Sequence, residues 1–239
     1  VTATAAGDTL VLSEVFGPTV QGEGPAVGRR CGFVRLGGCN LTCTWCDTAY
    51  TWDADRYDLR AELTRTPVGD ILDQVDAMDV PMVVISGGEP LLHQLQPGWR
   101  SLLGGLAARG IDVHVETNGT RPPAPYTRAA VAQFVVSPKL AHAGDPEDKR
   151  IVPPALAALV ATDKAVFKFV ATSTDDLPEI AAVAAAAGIP DRLVWVMPEG
   201  VTPDAVVAGG AAIADAVVSR GWNLTTRLHV LCWPKERAR

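Results

Sequence analysis

Short runs of β-branched and other apolar residues alternate along this chain with longer stretches whose apolar positions recur every three or four residues. The short runs fall at 32–36, 82–86, 111–116, 134–137, 165–170, 193–197 and 225–230, and each predicts a strand. Helical patterns lie between most of them. One covers 68–78 after Thr66-Pro67, and another covers 175–187 and stops at Gly188 and Pro190. The loop-rich 122–125 and the polar 143–150 read as surface connections. Strands that alternate with helices pair in parallel through right-handed crossovers. Six such units predict an α/β fold, a partial open (β/α)6 barrel rather than a closed eight-fold one. A chain of 239 residues with 48% hydrophobic positions can fill one sizeable core. The expectation is a single domain over 1–239, with its core at about 14–230 and tails at 1–8 and 234–239.

Charge narrows the partners. The formal net charge is −6 and no Lys/Arg run occurs, which argues against a nucleic-acid backbone or an anionic membrane as partner. No apolar stretch approaches the ~20 residues of a membrane span. Five cysteines, an odd count with no secretory leader before them, argue against a disulfide framework. A cytoplasmic protein with reduced thiols is expected.

Three of those cysteines lie in Gly38-Cys39-Asn40-Leu41-Thr42-Cys43-Thr44-Trp45-Cys46-Asp47-Thr48, with gaps of three and two residues. A zinc knuckle brings four ligands, usually as two close pairs, and Cys31 and Cys232 supply no second pair. Both of these read instead as small buried or half-buried thiols. Three bunched thiolates suit a [4Fe–4S] cube with one iron left open. That iron can be chelated by S-adenosylmethionine, whose sulfonium an electron from the cluster can then cleave.

In parallel barrels the site is built where strands end and the following loops begin. The polar clusters of this chain fall there: the three-cysteine loop after 33–36, Ser86-Gly87-Gly88-Glu89-Pro90, Glu116-Thr117-Asn118-Gly119, Ser137-Pro138-Lys139, and Met197-Pro198-Glu199-Gly200. Lys168 lies within the fifth strand.

The Cys-x3-Cys-x2-Cys loop with an aromatic before its last Cys, together with Gly-Gly-Glu-Pro, resembles the radical S-adenosylmethionine (SAM) superfamily. Within it, Gln21-Gly22-Glu23-Gly24, Phe33-Val34-Arg35-Leu36-Gly37-Gly38-Cys39-Asn40-Leu41 and Cys46-Asp47-Thr48 resemble the 7-carboxy-7-deazaguanine synthase family over about residues 14–229. The resemblance implies the partial open barrel of the radical SAM type and a cytoplasmic enzyme of queuosine or other 7-deazapurine biosynthesis. Such an enzyme converts 6-carboxy-5,6,7,8-tetrahydropterin to 7-carboxy-7-deazaguanine with release of ammonia. It also implies a [4Fe–4S] cluster, S-adenosylmethionine and Mg²⁺ as cofactors, a flavodoxin-like or other low-potential electron donor, and a homodimer.

Residue roles follow from the resemblance. Cys39, Cys43 and Cys46 would hold the cluster, and the Thr48 hydroxyl would ligate Mg²⁺, a hard cation that takes oxygen. S-adenosylmethionine would meet Trp45, Cys46, Asp47, Gly87, Gly88, Glu89, Asn118, Ser137, Pro138, Lys139 and Met197. The pterin would meet Val20, Gln21, Gly22, Glu23, Arg35, Ser86 and His229, with the planar Arg35 fork suited to its carboxylate. Arg227-Leu228-His229-Val230 stands where many relatives carry Gln-x-His-Lys, so the His is kept while its neighbours change. His93, His114 and His142 read as surface or strand-packing residues. Two alternatives stay open: a glycyl-radical-enzyme activase, and a non-catalytic iron–sulfur or zinc module.

Overall fold

A computed structural model of the chain describes residues 8–234 and 236–238; parts of the expected tails, 1–7, 235 and 239, lie outside the described residues. The contacts divide it into two compact units. The first holds 8–19, Arg30–Thr117 and Pro123–Phe134, and the second Val20–Arg29, Asn118–Pro122 and, of the described residues, 135–234 and 236–238.

In the first unit the strands are β1 (Thr9–Val20), β2 (Arg30–Leu36), β3 (Thr64–Pro67), β4 (Met82–Gly87) and β5 (Asp112–Thr117), in the order β3-β1-β2-β4-β5. β2 and β4 run parallel with Gly32 opposite Val83 and Leu36 opposite Gly87, and β4 pairs β5 in parallel from Met82 and Asp112. Val83, Val84 and Ile85 are fully buried, as expected of a parallel strand covered on both faces. The helix Val68–Met78 turns Ile71, Leu72, Val75 and Met78 inward, the three-to-four spacing of an amphipathic helix, and stops where Asp79 takes a left-handed conformation.

β6 (Gln133–Val136) carries the chain on to the second unit, which holds β7 (Ala165–Ala171), β8 (Val194–Pro198) and β9 (Asn223–Leu224). β7 pairs β8 in parallel with Phe167 opposite Val194, and β8 pairs β9 from Trp195 and Asn223. All seven residues of β7 are buried, including Lys168. The helix Leu177–Ala187 follows a Ser173/Asp176 capping box and ends at Gly188, whose φ of 66° a residue with Cβ adopts only under strain.

Three details differ from the sequence pattern. β1 is a long strand that the pattern hides, because Gly17-Pro18 near its end reads as a break. β3 is a four-residue, largely exposed antiparallel partner of β1, too short and polar to show periodicity. The predicted strand at 225–230 is replaced by β9 and a short helix, Leu228–Cys232. Tertiary bonds override the alternation there: the Leu228 N–H donates to the Gly22 carbonyl and Arg227 to the Gly200 carbonyl. No helix among the described residues is long and apolar enough to cross a membrane.

Candidate functional site

In the first unit β2 ends at Leu36 and the chain leaves it as a closed loop. The Gly38 N–H donates to the Thr51 carbonyl at 2.8 Å, so the entry and exit of 38–51 are tied together. Inside the loop the Cys46 N–H donates to the Cys43 carbonyl, and a short 3-10 turn at Ala49–Thr51 is fixed by the Thr51 N–H and hydroxyl, both donating to the Thr48 carbonyl. Cys39, Cys43 and Cys46 take part in no disulfide among the described residues; Cys43 is buried and the others half-buried. Burial, with Glu89 and the other two sulfurs nearby, pushes the Cys39 thiol up to about 11 against the bond it accepts from the Leu41 backbone. Trp52 donates its indole N–H to the Cys46 sulfur at 3.4 Å, and the Thr48 hydroxyl lies 3.6 Å from the same sulfur. Trp45 is half-buried and Asp47 exposed.

Among the described residues no three His, Cys, Asp or Glu side chains converge on a centre for one ion. The loop instead offers three separate soft donors on one closed backbone, and the donor set fits a polynuclear cluster whose thiolates each bind a different iron.

β4 ends beside this loop. The Gly88 N–H donates to the Leu36 carbonyl at 3.1 Å and the Glu89 N–H to the Gly38 carbonyl at 2.8 Å. A Cβ on Gly87 would run into the Leu36 backbone, and one on Gly88 into the Gly38 carbonyl and Cys39 Cβ. These glycines therefore let two loops pack backbone to backbone, a role beyond the ligand approach that the motif suggests. Glu89 is fully buried and accepts from the Leu91 N–H and, at 2.7 Å, from the Thr117 hydroxyl. His93 is buried rather than on the surface. Its Nε2 lies 2.9 Å from the Gly37 carbonyl, which can only accept, so Nε2 carries the proton and Nδ1 accepts from Gln96. Burial holds its pKa below the usual value.

Arg35, on β2, donates through Nε to Glu14 at 2.8 Å, and Tyr50 donates its hydroxyl to the same Glu14 oxygen. The guanidinium lies over the Phe16 ring, which stacks on Phe33. Burial works against its charge, but Tyr50, Glu14, Asp47 and Glu116 outweigh it and raise its pKa further. Its two terminal nitrogens carry no protein hydrogen bond among the described residues. Ser86 donates to Glu116 at 2.9 Å.

The second unit gathers a different set. Gln21 closes a tight loop with Arg29 and Gly28 through its backbone, and its side-chain oxygen accepts from the Glu23 N–H. Val20 is half-buried at the end of β1. The His229 ring packs on Gly22 so closely that a Cβ there would overlap it, and the Gly24 N–H donates to the Thr225 hydroxyl. Glu23 accepts from Lys168 on one oxygen and from Arg227 Nε at 3.0 Å on the other, with His229 Nε2 at 4.0 Å. Burial alone would raise the Glu23 pKa. The charges of Lys168, Arg227 and His229 and the bond from Lys168 overcome it, and hold the carboxyl well below the carboxylate range.

Elsewhere in this unit Asn118 is buried and its side-chain oxygen accepts from the Thr120 N–H and hydroxyl. Lys139 donates to Ser137 at 3.0 Å, with Pro138 buried between them. Arg150 donates to the Lys139 carbonyl and to Glu179, fixing that turn. Met197 is buried near the end of β8. Cys31, in the first unit, is buried as expected, whereas Cys232 is exposed because the helix replacing the predicted strand turns it outward.

The sequence pattern did not single out Glu14, Tyr50, Thr117 or Trp52 as partners of site residues. Two others had left a signal: Lys168 as a charge inside an apolar strand, and Arg227 as a departure in a recurring motif.

Residues 33–136 match the model of the Radical SAM superfamily. The structure of QueE from Escherichia coli is similar with a TM-score of 0.66 and 26% identity, over 91% of this chain and 93% of that one. That of SuiB from Streptococcus suis bound to S-adenosylmethionine is similar in fold, with a TM-score of 0.50, 20% identity and coverage of 78% and 44%. The class is thus α/β, the partial barrel of the radical SAM type. Among sequences, a 7-carboxy-7-deazaguanine synthase of Pyrobaculum aerophilum is 37% identical over 95% of this chain and 96% of its own, and one of Hyperthermus butylicus 36% identical over 95% and 94%. The chain belongs to the 7-carboxy-7-deazaguanine synthase family.

Proposed function

We propose that this chain converts 6-carboxy-5,6,7,8-tetrahydropterin to 7-carboxy-7-deazaguanine with loss of ammonia, and that it does so with a [4Fe–4S] cluster, S-adenosylmethionine and Mg²⁺. The observation that carries the reading is the first unit's combination: a closed three-thiol loop packed on Gly87–Pro90, and an Arg35 fork held at one edge by Glu14 with its outer nitrogens open. Cys39, Cys43 and Cys46 hold the cluster. When bound, the cluster and S-adenosylmethionine supply one-electron chemistry that generates a carbon radical able to take hydrogen from the pterin.

The protein's side chains orient and shield. Arg35 presents two parallel N–H donors to the substrate carboxylate, the bidentate geometry that a Lys could not reproduce. Thr48 would hold Mg²⁺ through its neutral hydroxyl oxygen, the hard donor that this cation takes. Glu23, kept ionised by Lys168 and Arg227, accepts from the N–H-rich edge of the pterin, helped by Val20, Gln21 and Gly22. His229, seated on Gly22, and Ser86, bonded to Glu116, complete the substrate contacts. Trp45, Cys46, Asp47, Gly87, Gly88, Glu89, Asn118, Ser137, Pro138, Lys139 and Met197 take S-adenosylmethionine, as the family motif implies. A flavodoxin-like or other low-potential donor in the cytoplasm supplies the electron to a homodimeric enzyme.

The test is an anaerobic assay of reconstituted protein with carboxytetrahydropterin, S-adenosylmethionine, Mg²⁺ and dithionite. Mass detection of carboxydeazaguanine, with ammonia released in equal amount, is expected. A reconstituted cluster that responds to S-adenosylmethionine while no carboxydeazaguanine forms would overturn the substrate assignment.

A further inference from the structure

Cys46 differs from an ordinary cluster ligand in what surrounds its sulfur. The Trp52 indole N–H points at it from 3.4 Å, within hydrogen-bond range for sulfur, and Trp52 is not loosely placed. Its own N–H donates to the Ala49 carbonyl at 3.0 Å, the next residue's N–H donates to the same carbonyl at 2.8 Å, and Thr51 before it is fully buried and ties the loop exit to Gly38. The ring is half-buried and the donor arrives from a turn that the backbone fixes.

We propose that Trp52 is a positioning residue for electron entry: its indole N–H bonds the Cys46 thiolate and sets the reduction potential of the cluster that Cys39, Cys43 and Cys46 hold. The inference rests on the cluster reading given above. A donor on a ligand sulfur draws electron density from it and stabilises the more negative, reduced state, so hydrogen bonds to sulfur raise a cluster's potential. The step is a one-electron reduction in which the low-potential donor is oxidised; no bond to Trp52 forms or breaks and its proton stays on the indole nitrogen.

The experiment compares wild-type, Trp52→Phe and Trp52→His chains, reconstituted anaerobically and matched for iron and sulfide per chain. Midpoint potentials are read by titration against the reduced-cluster EPR signal. Trp52→Phe keeps a ring and loses the donor, and its one-electron reduction equilibrium should fall about tenfold, equivalent to about 59 mV more negative. Trp52→His restores a ring N–H and should recover most of that shift. An unchanged potential in Trp52→Phe, or equal shifts in both variants, overturns the proposal. Should a variant fail to hold a cluster, the wild-type chain grown with ¹⁵N-indole tryptophan decides: pulsed EPR of the reduced cluster should detect the Trp52 nitrogen coupling, lost in Trp52→Phe chains if they load, and its absence overturns the contact. A wild-type chain that takes up no cluster overturns the proposed function itself, a result distinct from a loaded cluster indifferent to Trp52.

Discussion

Replacing Glu23 with Gln keeps the side chain's size and removes the negative charge to which both Lys168 and Arg227 donate. Their side chains are 6% and 10% exposed, so neither can turn to water without unpacking. At an effective dielectric of about 20 a pair at 3 Å attracts by roughly 5 kcal/mol, most of which offsets the desolvation of both charges. The measurable cost is that of breaking a buried pair by neutralising one partner, about 3–5 kcal/mol. Arg227 keeps its 2.8 Å bond to the Gly200 carbonyl, which places the figure toward the lower end. With a urea slope of about 2 kcal/mol/M, the unfolding midpoint of the apo chain should fall by about 1.5–2 M. Adding Lys168→Met to Glu23→Gln should recover roughly half of it, because the more deeply buried of the two cations is gone. The pH dependence has a definite sign. The folded-state pKa of Glu23 lies below its ordinary value of 4.5, so its contribution is fully present above that value and is lost as pH falls toward the folded pKa. The gap between wild type and Glu23→Gln should be constant from about pH 6 to 8 and narrow below about pH 4.5. A midpoint drop under about 0.5 M, or a gap that widens in acid, refutes the reasoning.

Three further outcomes follow from the geometry. Thr48→Ala should leave cluster content unchanged and lower turnover, with the Mg²⁺ dependence of the rate weakened; an unaltered Mg²⁺ titration would refute its role as ligand. Gly88→Ala drives a Cβ into the Gly38 backbone, which cannot rotate away, whereas Gly22→Ala meets a His229 ring that can. Gly88→Ala should therefore lose more stability than Gly22→Ala, which should cost about 1–3 kcal/mol and be partly rescued by His229→Ala; calorimetry of the four chains checks the order. Because burial pushes the Cys39 thiol up to about 11, cluster uptake must strip a proton from it. Iron affinity under limiting iron and sulfide should climb about tenfold per pH unit from pH 7 to 9 for that proton, and a flat profile would refute it.

How much of this was legible depended on sequence distance. The three-cysteine loop and Gly87–Pro90 each lie within a dozen residues, so spacing pointed to a thiolate cluster in the first and the family resemblance gave the second its expected role, while the parallel alternation placed both at strand ends. The ties between them are backbone bonds, Gly88 to Leu36 and Glu89 to Gly38, and no residue type announces those. Glu23 shows the opposite case. Its partners lie 145 and 204 residues away, and a carboxylate between two glycines reads as a solvated loop residue until the fold delivers Lys168 and Arg227. Other long-range bonds explain the misread strand at 225–230, whose apolar pattern lost to the pull of Gly22 and Gly200 on Leu228 and Arg227.

The two groups of site residues share one construction. In the first unit bonds with at least one backbone partner do the joining, through Gly38 to Thr51, Gly88 to Leu36 and the His93 ring to the Gly37 carbonyl. In the second, Leu228 to Gly22 and Gly24 to Thr225 do the same for the segment that carries Glu23. Each charged side chain then has a partner that takes part of its hydrogen-bonding capacity: Glu14 takes one edge of Arg35, and Lys168 and Arg227 each take one direction on Glu23. Such a partner serves two ends at once. It keeps the group ionised against burial, and it fixes the direction in which the remaining donors or lone pairs face. A guanidinium fixed in this way suits a carboxylate, and a carboxylate fixed in this way suits an N–H donor. Arg227 strengthens that fixing of Glu23, since a neutral amide in its place would leave Glu23 with the Lys168 charge but without the second hydrogen-bonded cation.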